Sequence, residues 1–133
     1  MRKKKLFVLG TAVLAAICIV CILLFGGKRP FQNLAVSDIA AVSVRLIPPD
    51  VTIDLDETEF ARLAEILQML VIYRRDDSWR KYDGQAVTFM ITKTNGTQVS
   101  VMAYNPFLII DGQGYRTRYE SCEALSRFAN SLR

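Results

Sequence analysis

Two adjacent carboxylates, Asp76 and Asp77, precede a cluster of Trp79, Arg80, Lys81 and Tyr82. Paired acids can share general acid–base work. Carboxylates alone serve many glycoside hydrolases when they stand about 5 to 9.5 Å apart across a groove. Neighbouring residues on a strand point to opposite faces, however, so this pair reads first as a solvated loop. The other candidates carry less. Ser37-Asp38 and Ser121-Cys122 have no histidine or nearby lysine at a diagnostic spacing. The chain contains no histidine at all, which removes the usual general base and the commonest transition-metal ligand. The two glycines of "DGQGY" read as a hairpin turn, because no helix N-terminus follows to cradle a phosphate. "DLDETE", Asp54 to Glu59, lacks the glycine and distant glutamate of a calcium loop and is better read as a helix cap. The sequon Asn95-Gly96-Thr97 matters only in a eukaryotic secretory pathway. No catalytic, metal-binding or cofactor-binding residue is assigned, and no cofactor is implied.

The better candidate is a surface. Between positions 73 and 82 stand four basic and three aromatic residues. Trp, Tyr and Arg are the types enriched in binding hot spots. The candidate partner-binding set is Tyr73, Arg74, Arg75, Trp79, Arg80 and Tyr82. A competing reading has Trp79 and Tyr82 covering a sheet edge while the cations stay solvated. The two part over Trp79, which is largely exposed if it is an anchor.

The elements that must carry this surface begin with a greasy run. Leu6 to Gly27 is 22 residues without charge or proline. As a helix it would reach about 33 Å, against a hydrocarbon core of roughly 30 Å. A cleaved secretory signal has a shorter apolar region and small residues before the cut, whereas cleavage after Gly27 would place Phe25 where a small residue is wanted. A lipoprotein signal needs small residues just before its cysteine, and Cys18 follows Ile17 while Cys21 follows Val20. The sequence therefore predicts an uncleaved anchor. Basic flanks stay in the cytoplasm, so "RKKK" at Arg2 to Lys5 sets the N-terminus inside and the rest outside. Cys18 and Cys21, three apart, share a helix face with Leu14 and Phe25 and need no role beyond packing. Thr11, Ala12, Ala15 and Ala16 form two small-xxx-small pairs that would let helices approach closely. The expected layout is residues 1–5 as a cytoplasmic tail, 6–27 as a transmembrane anchor, 28–38 as a polar tether and 39–133 as one extracytoplasmic domain. A five-residue tail holds no signalling domain.

Charge fits this layout. Of 17 basic residues four lie in Arg2 to Lys5, leaving 13 against 13 acids beyond Gly27. The exported part is formally neutral, so the net +4 is a topology feature and not a footprint for nucleic acid. With Cys122 alone in the exported part, no internal disulfide forms and packing must supply the stability.

In "AVSVRLIPPDVTIDL", Val42, Val44 and Leu46 share a face, and Val51, Ile53 and Leu55 alternate again after Pro48-Pro49, which predicts a hairpin. Phe60, Leu63, Ala64, Leu67 and Leu70 recur at helical spacing behind Asp56 and Glu59, a capping box, so a helix is expected from about Glu57 to Leu70. Val71 to Arg74 starts a strand, Asp76-Asp77-Ser78 a loop or bulge, and Asp83-Gly84 a turn. For "VTFMITKTNGTQVSVMA" a two-residue turn at Asn95-Gly96 would scramble the faces. A three-residue loop with Gly96 left-handed pairs Lys93 with Thr97 and sets Val87, Phe89 and Ile91 against Ala103, Val101 and Val99. A short hairpin about Asp111-Gly112 follows, then an amphipathic helix bearing Cys122, Leu125, Phe128, Ala129 and Leu132, with Cys122 a buried structural thiol. The order β-β-α-β-β-β-β-β-α predicts an α+β domain, a mainly antiparallel sheet with two helices on one face.

"GQAVTFMI" and "AYNPFLIIDGQGYRTRYESCEAL" resemble segments of small, uncharacterised membrane-anchored extracytoplasmic domains of Gram-positive bacteria. They are similar also to C-terminal domains attached to beta-lactam-sensor-type membrane metallopeptidases. The resemblance covers about Ile39 to Leu132 and implies a bacterial envelope location. It transfers no catalytic residue, since the chain has no His-Glu-x-x-His and one apolar span. The functional expectation is a non-enzymatic, membrane-tethered binding or accessory domain with an envelope or membrane protein as partner. The alternative is a carboxylate-only envelope hydrolase.

Overall fold

The computed structural model describes Arg2–Arg133, and within the first helix, α1 (Arg2–Phe25), it describes side chains at Lys5 and from Val8 to Val20. Among the described residues no helix is long and apolar enough to cross a membrane. The expected sharing of a face by Cys21 and Phe25 lies outside the described side chains.

Beyond α1 the chain forms β1 (Ile39–Ile47), β2 (Val51–Asp54), α2 (Glu57–Met69), β3 (Ile72–Arg75), β4 (Ala86–Lys93), β5 (Gln98–Tyr104), β6 (Phe107–Ile110), β7 (Gln113–Thr117) and α3 (Tyr119–Ser131). This is the expected element order. The seven strands make one antiparallel sheet in the order β2-β1-β4-β5-β6-β7-β3. The domain is α+β.

Alternation decides the register. Val87 pairs with Ala103, Phe89 with Val101 and Ile91 with Val99, as the three-residue loop requires. Lys93 N–H donates to the Thr97 carbonyl at 2.8 Å, and Gly96 has φ +88°. Val44, Leu46, Val87, Phe89 and Val101 are fully buried on this inner face. Helix α2 covers it with Phe60, Leu63, Ala64 and Leu67, and α3 with Cys122, Leu125 and Ala129. The Phe128 ring stacks on Phe89 at 6.1 Å. Helix α2 starts in the expected box: Asp56 Oδ1 accepts from Glu59 N–H at 3.0 Å, and Glu59 Oε1 accepts from Asp56 N–H at 3.4 Å.

The edge strand β3 holds two features that periodicity did not reveal. It pairs with β7, so the sheet closes on a strand far away in the chain. Its outer side is met by Lys28, whose N–H and C=O exchange 2.8 Å hydrogen bonds with Ile72. Gly27 lies against β3 so closely that a Cβ there would run into the Val71 side chain and meet the Tyr73 ring at 3.0 Å. The stretch read as a polar tether is thus docked on the domain. Phe31 and Leu34 are buried, the Arg29 guanidinium donates to the Gln68 carbonyl at 2.7 and 2.9 Å, and Gln68 Nε2 donates to the Leu34 carbonyl at 2.6 Å.

Candidate functional site

Among the described residues, no α-helix packs on the outer face of the sheet. Its apolar residues sit where β5, β6 and β7 pair, with Met102 opposite Ile109, Tyr104 opposite Phe107 and Gly114 opposite Ile109. Phe107 and Ile109 are nonetheless buried. They are covered by the polar stretch from Asp76 to Tyr82, which turns as a short 3-10 segment over Ser78–Lys81.

Trp79 is the centre of this cover. Its ring lies on Gly114, where a Cβ would meet Trp79 Cδ1 at 2.6 Å and would overlap the Asp76 carbonyl. Only glycine lets the loop approach the strand so closely. Tyr104 meets the Trp79 ring edge-on at 6.3 Å, and Tyr82 packs on Phe107 at 5.4 Å. The Tyr104 hydroxyl donates to the Tyr82 carbonyl. Guanidinium groups add two cation–π contacts, Arg80 at 5.4 Å from the Trp79 ring centre and Arg116 at 4.7 Å from that of Phe107.

The two carboxylates hold this cover in place. Asp76 Oδ2 accepts from Arg116 Nε at 2.8 Å and its Oδ1 from Ser78 N–H at 2.9 Å. Its own N–H donates to the Gly114 carbonyl at 2.9 Å. Hydrogen bonds from Ser78, then the Arg116 guanidinium, hold the Asp76 carboxyl down at about 2. Asp77 Oδ1 accepts from Gly114 N–H at 3.0 Å and from Gln113 Nε2 at 3.3 Å. Both acids therefore bind a loop to a strand.

The structure divides the candidate surface in two. Trp79, Arg80 and Tyr82 gather on the outer face. Trp79 is half-buried rather than largely exposed, and Tyr82 is 53% exposed. Tyr73, Arg74 and Arg75 lie on β3, with both arginines exposed and the Tyr73 hydroxyl accepting from Arg118 Nε at 2.7 Å. Lys81 is exposed beside Arg80. Gly114, Arg116 and Tyr104 complete the outer cluster and were not candidates from sequence; the one available clue was a glycine inside a short strand.

Cys122 takes no part in either surface. It is buried under α3, donates to the Phe107 carbonyl at 3.1 Å, and burial pushes its thiol up to about 12, so it stays a thiol near neutrality. A separate open groove of about 750 Å³ runs between α2 and α3, floored by Ile66, Leu70 and Ala124.

No protein-family model, curated protein or solved structure matches the chain.

Proposed function

We propose that this chain is a membrane-tethered, non-enzymatic binding or accessory domain on the extracytoplasmic side of a bacterial cell envelope. The observation that carries the reading is the state of α1. Every described residue from Val8 to Val20 is exposed, including Val8 and Leu14 at 65% and Ile19 at 58%. A helix this apolar, exposed at every described side chain, finds burial in lipid. The cations of Arg2 to Lys5 favour a cytoplasmic N-terminus.

A reporter active only outside the cytoplasm, fused after Arg133, tests the topology. It should be active, with the full-length chain in the membrane fraction. Release of a shorter chain into the medium would show cleavage and end the anchor reading. Crosslinking on intact cells through positions 73–82 should trap a reproducible envelope protein; repeated failure to trap one counts against a protein partner. The hydrolase alternative needs two free acids facing across a cleft, and Asp76 and Asp77 are instead spent on Gly114 and Arg116.

A further inference from the structure

The exported part is neutral in total, yet the fold separates its charges. Lys28–Arg29, Val71–Tyr82 and Gln113–Arg118, which build the β3 edge and its cover, carry eight basic and two acidic residues. Asp38–Glu59, which forms β1, the opposite edge strand β2 and the start of α2, carries one basic and six acidic. Six strand spacings separate β2 from β3, roughly 30 Å. That is several times the Debye length of about 8 to 10 Å in ordinary salt. A charged surface near one edge therefore acts on that edge alone.

Chain geometry selects which edge is near the membrane. Helix α1 ends at Phe25, and Lys28 is already hydrogen-bonded to Ile72. Three residues span at most about 11 Å. If α1 crosses the bilayer, the β3 edge stands at the headgroups and β2 points away. Most of the cations there keep their charge uncompensated among the described residues, Arg116 being the one in an ion pair. Arg74 and Arg75 are exposed and make no ion pair among the described residues, while Arg29 and Arg118 donate to uncharged oxygens, the Gln68 carbonyl and the Tyr73 hydroxyl. Of the nearby acids, Asp76 is paired with Arg116 and Asp77 caps Gly114, which leaves Glu120 beside Arg118.

We infer that Lys28, Arg29, Arg74, Arg75 and Arg118 form a docking edge for the anionic phospholipids of the leaflet from which the domain emerges, holding the sheet upright with β2 outward. This rests on α1 being a membrane anchor. Of the candidate set, it assigns Arg74 and Arg75 to lipid and leaves the outer face around Trp79 and Tyr82 for any other partner.

The test uses the full-length chain in bilayers of phosphatidylcholine, with or without about a third phosphatidylglycerol. Trp79 is the sole tryptophan and lies over β7, one strand in from the edge, so it serves as energy donor to a headgroup-labelled lipid. Transfer should rise with the anionic lipid and fall back in 1 M salt. Arg74→Glu with Arg75→Glu should lower the docked-to-undocked ratio at least about tenfold, while Asp50→Lys on the far side leaves it unchanged. Thermal melts should show both variants folded. An alkaline wash separates the two readings. A chain that stays in the bilayer but transfers equally on neutral and anionic lipid overturns the docking edge alone. A chain that washes off removes the anchor and the docking edge together.

Discussion

The two faces of the sheet are covered by different means. The inner face lies under two helices, and Val44, Phe89, Val101 and Leu125 have no exposure at all. The outer face lies under a short polar segment in which Trp79 stays partly exposed and Tyr82 more so. The Trp79 indole N–H is buried without an acceptor among the described residues, and an unmet donor of this kind costs stability. The inner face therefore holds the fold together. The outer cover is the place where a partner could compete, because less is lost when it shifts than when the inner face opens.

Phe89→Ala should break the comparison most severely. Removing a fully buried ring costs about 3 to 5 kcal/mol, which should leave the domain largely unfolded near body temperature by circular dichroism. Trp79→Ala should cost less, about 2 kcal/mol, since part of the side chain stays in water while Phe89 has no exposure. A melting temperature lower by roughly ten degrees would fit that figure for a domain near 100 residues. A shift within a degree would instead make Trp79 a free anchor and the outer cover irrelevant to folding. Gly114→Ala should cost about 1 to 2 kcal/mol by forcing the loop off the strand. Combined with Trp79→Ala its effect should shrink, since one of the obstructing groups is gone.

The last test is the smallest and concerns pH. The Asp76 carboxyl is held at about 2 when folded, below its usual value of 3.8. The carboxylate thus stabilises the fold above pH 4, and this contribution disappears as pH falls from about 4 to 2. Asp76→Asn should melt earlier than the parent chain at pH 7 and lose less on going from pH 4.5 to 2.5. Parallel curves for the two proteins would show that Asp76 does not hold the cover.

The difference between the faces also explains what could be read in advance. Strict alternation in β1, β4 and β5 made the inner face legible down to the pairing of Phe89 with Val101, because a one-residue slip would bury Thr88 and Met102 instead. The periodicity of Phe60, Leu63 and Leu67 made α2 equally clear. The outer cover is aperiodic and polar, so nothing local says that Trp79 rests on Gly114, which is 35 positions later. The docking of Phe31 and Leu34 was hidden for a similar reason. Two apolar residues among Arg29, Pro30, Gln32 and Asn33 form no repeat, and their burial depends on where α2 ends. Asp76 and Asp77 were visible as acids, but their role depends on a strand that the local sequence does not point to.

The pairing of Lys28 with Ile72 bears on how another polypeptide could join this sheet. A bare edge strand offers its backbone to any passing extended peptide, and many recognition domains exploit that by strand addition. Here Gly27 and Lys28 occupy the outer side of β3, and Pro30 closely follows, unable to donate to a ladder. A peptide approaching β3 at Ile72 meets a backbone already paired. The backbone of β2, four residues long and preceded by Pro48-Pro49, is the sheet's other border, at the far end from Lys28. An extended partner that recruits itself by main-chain hydrogen bonds finds no such bridge along β2 among the described residues.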